Sequence, residues 1–294
     1  MPDDESPTLL RRQLGRFLRD QREIKGLIIA TAAQEIQLSP AALQRLETGR
    51  PQKLRKQDVR ALCELYEVDT DETEKAIDLA AQAAKNPDIT ALGGLFSNAF
   101  NMYVGMERSA RSLITYHEQV PGLLQTADYA HALISAFYRD ASPEEIGRRV
   151  AIRKTRQAMV TRKRSPLAME VLLHESALHR VIGGPRVMAT QLHELAELSK
   201  LPNVKLRLHP YSAGMTWGIL HGPFVILDFG TDRNGKQVEP PIVYVEGRLS
   251  SDLYVERPDE VQRYHELADA VRAEALDEIG TRDLLRRVAR EFQA

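Results

Sequence analysis

The chain has 294 residues, 40 Lys/Arg against 41 Asp/Glu, and a formal net charge of −1; 43% of its residues are hydrophobic and 28% charged. That balance excludes collagen-like and wholly disordered chains, and the length points to about two domains. A single cysteine, Cys63, excludes a disulfide framework and a thiolate zinc site, and the near-zero charge offers no chain-wide basic field for nucleic acid.

In chain order, Met1 to Pro7 is acidic and carries no apolar segment, so no secretory signal is expected. Residues 9–25 read as a helix, with Leu10, Leu14, Phe17, Leu18 and Ile24 near the 3.6-residue period and Gly26 as the stop. The longest apolar stretch, Leu27 to Ala33, falls far short of the ~20 residues that span a bilayer. The expectation is a cytoplasmic protein with no membrane association. Short helices follow at 29–36 and 40–47, the second with Ser39 as N-cap, Pro40 in its first turn, and Gly49 and Pro51 as its end. Helices at 55–67 and 71–85 complete an all-α module, and Asn86-Pro87 marks its boundary. Beyond it, helices are expected at 97–114, 126–139, 143–164, 185–200, 258–276 and 280–292, and strands at 168–173, 203–209, 221–229 and 241–246. The expected architecture is an all-α helix-turn-helix module over residues 1–88, followed by a larger α+β domain over 89–294.

Charge is not evenly spread. Residues 11–60 carry twelve Lys/Arg and five Asp/Glu, a net of +7; residues 61–90 carry two and eight, a net of −6. The total of −1 is therefore a cancellation between adjacent segments. A second basic run, Arg148 to Arg164, holds eight Lys/Arg and no acid. Its plain reading is a solvated helix face. Its functional reading puts Arg149, Arg153 and Arg156 on phosphate or on an acidic partner.

The compact pair of helices at 29–47 suits a helix-turn-helix, whose second helix presents its N-terminal residues to base edges. The string Ser39-Pro-Ala-Ala-Leu-Gln-Arg-Leu-Glu-Thr-Gly49, with Gly26-Leu27 and Ala33 in register, resembles the XRE (lambda-repressor-like) family of DNA-binding regulators over about residues 9–85. The resemblance implies that Ser39, Pro40, Ala41, Gln44 and Arg45 face the major groove, Arg45 suited to guanine and Gln44 to adenine. It also implies that Arg50, Lys53 and Arg55 contact phosphates and that Arg22 pairs with Glu47. Ile28 and Ile29 stand where the family has Ser or Thr and then Gln. Ala32 stands in place of Leu, and Gln37 in place of a turn Gly. These departures remove a helix N-cap and a phosphate-contacting side chain.

Three further strings carry a second resemblance: Tyr116-His-Glu-Gln-Val-Pro-Gly-Leu-Leu-Gln-Thr-Ala-Asp-Tyr-Ala130, His174-Glu-Ser-Ala-Leu178, and Leu201-Pro-Asn-Val204 through His221-Gly-Pro-Phe224 to Val243-Tyr-Val-Glu246. Over about 95–280 they look like the C-terminal domain of uncharacterised function that is fused to XRE modules in antitoxin-like regulators of high-GC Gram-positive bacteria. The resemblance implies a transcription factor that binds double-stranded DNA as a homodimer. Its second domain would sense a ligand or a small protein encoded by a neighbouring gene. The alternative is an antitoxin-like interaction module with a degenerate DNA reader.

No catalytic, cofactor or metal constellation is expected. His174 and His179 are five residues apart, about 140° around a helix, unlike the one-face spacing of paired zinc histidines. Glu175, Asp228 and Glu246 follow strand candidates, where carboxylates can act as acid or base but also cap helices and pair with arginine. Trp217 lies in a Gly-flanked loop near His209, Tyr211 and His221, as a cover of the core or a contact for a ligand.

Overall fold

The computed structural model of the chain describes residues 9–49, 51, 53–85, 99–215, 217, 222–231, 235, 237–247 and 253–293. Five helices come first: α1 (Leu9–Ile24), α2 (Ile29–Glu35), α3 (Pro40–Glu47), α4 (Lys56–Leu65) and α5 (Thr70–Lys85). Each matches an expected helix to within two residues at either end. The expected boundary at Asn86-Pro87 lies outside the described residues.

The helices form where the apolar residues recur at helical spacing. Leu10, Leu14 and Leu18 of α1 are buried with Ala33, Leu43, Leu46, Val59, Leu62 and Leu79 in one core. Burying a leucine completely contributes roughly 1.5–3 kcal/mol, far more than the helix propensity of these short segments. Three helices end alike. At Gly26, Gln37 and Glu67 the backbone turns left-handed, with φ of 68°, 56° and 54°. The next residue then reaches back five positions, as in Leu38 N–H to Ala33 O at 2.8 Å and Val68 N–H to Cys63 O at 3.0 Å. The Gln37 turn thus keeps the geometry that suits glycine without having the glycine.

The remaining elements are α6 (Ala99–Ser109), β1 (Ser112–His117), α7 (Ala127–Phe137), α8 (Pro143–Thr161), β2 (Ala168–His174), α9 (Ser176–His179), α10 (Pro185–Leu198), β3 (Val204–His209), β4 (Phe224–Asp228), β5 (Ile242–Val245), β6 (Leu253–Val255), α11 (Pro258–Glu274) and α12 (Glu278–Glu291). The six strands form one mixed sheet in the order β3-β2-β1-β4-β5-β6. β1 and β2 are parallel, as are β2 and β3, and β4 runs antiparallel to β1. The parallel pairs are joined through helices, as parallel neighbours require. One side of the sheet carries α11, whose Arg272 donates to both oxygens of Glu170 at 2.6 and 3.0 Å and whose Tyr264 meets Phe224 edge to face. The open edge of β3 is capped: Leu208 N–H donates to Thr281 Oγ1 and Leu208 O accepts from Leu276 N–H.

Two expectations fail here. The helix expected over 97–114 stops at Ser109, and Ser112–His117 is a strand at the middle of the sheet. Its register pairs Ile114 with Glu170 on one side and with Ile226 on the other, so ladders on both sides override the local period. β6 has no counterpart among the expected strands.

The chain divides into two compact units. One comprises Met1–Met106, Thr231–Ile242 and Glu246–Pro258; the other comprises Glu107–Gly230, Val243–Val245 and Asp259–Ala294. The first unit thus joins the N-terminal helices to a stretch that lies more than 120 residues downstream.

Candidate nucleic-acid interface

α3 is built to present one face and bury the other. Ser39 is extended (φ −74°, ψ 147°) and its hydroxyl accepts from Ala42 N–H at 3.1 Å, while Pro40 occupies the first turn where its missing N–H costs nothing. Leu43, Leu46 and Glu47 point inward; Pro40, Ala41, Gln44 and Arg45 are exposed. Gly49 ends the helix with φ 73°.

α1 lies directly against the end of α3. A Cβ at Gly15 would sit 2.6 Å from the carbonyl oxygens of Leu46 and Glu47, and one at Gly49 would sit 2.9 Å from the Arg12 backbone. Only hydrogen at those two positions lets the helices approach this closely. Arg22 then grips Glu47 in a bidentate pair, Nε to Oε1 at 2.7 Å and Nη2 to Oε2 at 2.9 Å, with both residues buried. Its third nitrogen donates to Leu27 O at 2.7 Å, tying the same guanidinium to the α1–α2 turn. The hydrogen bonds to Glu47, opposed by burial, hold the Arg22 guanidinium above its ordinary value. The pairing implied by the family resemblance is present in full.

Of the residues expected to meet DNA, Ser39, Pro40, Ala41, Gln44, Arg45, Lys53 and Arg55 are all exposed, and Arg50 lies outside the described residues. The Ser39 hydroxyl is already engaged as the helix cap. Arg55 is the N-cap residue of α4, and the exposed Lys56 beside it adds a cation that sequence reasoning missed. At the start of α2, Ile28 provides no side-chain cap and is 67% exposed, and Ile24 is 76% exposed.

The +7 of residues 11–60 is not all surface charge. Arg12 and Arg16 lie on the inner side of α1 and are buried, as is Arg22. Arg12 Nη1 meets Glu256 Oε1 at 2.9 Å, its Nε lies 3.5 Å from Glu239 Oε2, and its Nη2 donates to Pro240 O. Arg16 Nη2 shares the same Glu239 oxygen at 2.5 Å. Burial pulls the Arg16 guanidinium below its ordinary value, Glu239 pulls it back, and neighbouring Arg12 lowers it further. These partners are invisible in the sequence because Glu239 is 223 residues from Arg16. Gly15, a lone glycine inside an amphipathic helix, was the available sign of a close packing surface.

The basic run on α8 departs from its functional reading. Arg149, Arg153 and Arg156 do not form an outward face for phosphate. Arg156 is buried and bidentate with Glu107, at 2.8 and 2.9 Å; Arg153 donates to Gln125 Oε1 at 2.6 Å. Arg149 pairs with Glu145 and lies 3.8 Å over the Tyr138 ring. The exposed cations of the run are Arg148, Lys154, Arg162, Lys163 and Arg164.

In the second unit, the carboxylates considered for chemistry serve the backbone. Glu175 Oε2 accepts from Tyr211 N–H at 2.7 Å and Asp228 Oδ1 from Gly230 N–H at 2.7 Å. His174 and His209, register partners at the ends of β2 and β3, stack with ring centres 5.8 Å apart. Tyr211 stands edge-on to His174. His209 is fully buried, with Glu274 Oε2 3.8 Å from its Nε2; burial and His174 lower its pKa while Glu274 raises it. Trp217 is half exposed, and His221 lies outside the described residues. Among the described residues no group of three His, Cys, Asp or Glu is placed to hold a metal ion. No helix among them is long and apolar enough to cross a membrane.

Comparison with protein-family models finds a helix-turn-helix domain over residues 13–76 and a domain of unknown function, DUF5753, over residues 100–287. No curated protein and no solved structure matches the chain.

Proposed function

From a chain that belongs to the DUF5753 family and carries a helix-turn-helix domain ahead of that domain, we infer a transcriptional regulator of the XRE type that binds double-stranded DNA sequence-specifically in the cytoplasm. The observation that carries this reading is the state of α3. Gln44 and Arg45 project from a capped, rigidly seated helix, and their side chains have no hydrogen bond or ion pair among the described residues. A long side chain held free on an anchored helix is what base reading in a major groove requires. Lys53 and Arg55, likewise exposed, are assigned to phosphates, and Ser39, Pro40 and Ala41 to the groove edge. Arg50 belongs to the same phosphate set by its place in the sequence.

The division of labour follows residues 1–88 for reading and 89–294 for sensing a ligand or a protein partner, in keeping with the extents of the two family models. A single reader of this size contacts few base pairs, so a homodimer on paired half-sites about one helical turn apart is assigned. The role is binding rather than catalysis. The test is selection of duplexes by the full-length chain from a random pool, followed by titration of the recovered duplex at several salt concentrations. The expected result is a recurrent, two-fold-related sequence with steep salt dependence. Recovery of no shared sequence refutes the reading.

A second reading has one observation in its favour. The uncapped, apolar start of α2, with Ile24 and Ile28 exposed, suits protein contact better than phosphate. An antitoxin-like partner binder with a degenerate reader would co-purify with the product of the neighbouring gene yet select no duplex.

A further inference from the structure

We propose that Glu239, far outside the helix-turn-helix in sequence, is a positioning residue for DNA reading: it holds α1 through Arg12 and Arg16, and α1 holds α3. The inference rests on the reading that α3 contacts DNA. Each link is a contact within one compact unit. Glu239 is buried and one of its oxygens faces both Arg16 Nη2 and Arg12 Nε. Arg12 is also the residue against which Gly49, the end of α3, is packed, at a distance that admits no side chain. One turn later Gly15 touches the last carbonyls of α3, and two turns further Arg22 clasps Glu47.

The charges explain why the position of α1 depends on Glu239. Arg12 and Arg16 are neighbours on one helical face, both buried and both cationic. Two buried guanidinium groups in contact repel, and each needs an anion in the same space. Among the described residues Glu239 faces both cations and Glu256 faces Arg12. Replacing Glu239 by a neutral side chain removes the carboxylate oxygen that the two guanidinium groups share. α1 then relieves the excess by moving its inner face toward water, and the seat of α3 moves with it. DNA reading therefore requires residues that the 13–76 helix-turn-helix model does not include.

The experiment uses the full-length chain and the duplex that it selects from a random pool. Fluorescence anisotropy gives the affinity for that duplex and for a scrambled one, across a series of salt concentrations. Glu239→Gln is expected to weaken the selected duplex at least tenfold and to lower the selected-over-scrambled ratio. The salt slope should stay unchanged, because Glu239 touches no phosphate. Glu239→Asp, which keeps the charge, is expected to recover part of the ratio. A Glu239→Gln chain that keeps the wild-type ratio within twofold overturns the inference, whatever its melting temperature. Where Glu239→Gln lacks the wild-type far-UV circular dichroism, Glu256→Gln takes its place, with the same expected loss and the same twofold limit. A wild-type chain that selects no duplex overturns the DNA reading and this inference together. One that selects a duplex that Glu239→Gln reads equally well overturns the inference alone.

Discussion

α1 and α3 carry arginines of the same chemistry to opposite ends. On α1, Arg12, Arg16 and Arg22 turn inward, each paired with a carboxylate from a distant part of the chain. On α3, Arg45 turns outward and finds none among the described residues. The difference lies in what faces each helix. α1 is enclosed by α3, α4 and α5 and by the stretch that carries Glu239 and Glu256, so its polar side must be satisfied internally. α3 has a core on one side only. An arginine count over residues 11–60 thus mixes groups that hold the fold together with groups free to meet a ligand.

Perturbations of each set sharpen this contrast, and the largest effect belongs to the inward one. Glu47→Ala strands the buried Arg22 guanidinium and should cost about 3–5 kcal/mol of stability, read from the denaturant midpoint of the first transition. An unchanged midpoint would mean that the pair is solvated after all. Gly15→Ala forces a methyl group against two carbonyl oxygens, which calls for a helix shift worth roughly 1–3 kcal/mol in the same assay.

The outward set should leave folding alone. Arg45→Ala is expected to keep the wild-type midpoint and to lose ~1–3 kcal/mol of discrimination at one base pair, whereas Lys53→Ala should weaken every duplex alike and reduce the salt slope by about 1. Matching losses for the two variants would dissolve the distinction between base and phosphate contacts.

The smallest effects come from the frame. Gln37→Gly relieves a left-handed backbone and should raise stability by about 0.5–1 kcal/mol after the extra chain entropy of glycine. Burial pushes the Cys63 thiol up to about 11, so alkylation at pH 8 should be negligible in the folded chain and rapid in denaturant. Folding disfavours the thiolate, so this group begins to cost stability only as the pH rises past 9.0 toward 11.

Much of the reader is legible in the sequence. The heptad-like apolar spacing, the Ser39-Pro40 start and the Gly26 and Gly49 stops act over fewer than ten residues, and local chemistry determines them. The Arg22–Glu47 pair is legible only through the family resemblance, since 25 residues separate its partners. β1 is not legible as a strand. Ser112–His117 follows a helix whose apolar period runs into it, and its extended form comes from β2 and β4 on either side.

The α8 run shows the same limit from the other direction. A string of eight cations without an acid reads as a charged face, yet Arg156 is buried against Glu107, 49 residues away. Composition, helix limits and the helix-turn-helix register were set by the sequence alone, because propensity, capping and period are short-range. Which arginines are structural and which are free, and that Glu239 belongs with α1, was decided by the tertiary structure. A charge buried on folding must find its counter-charge wherever the chain has brought one, and sequence distance carries no record of that.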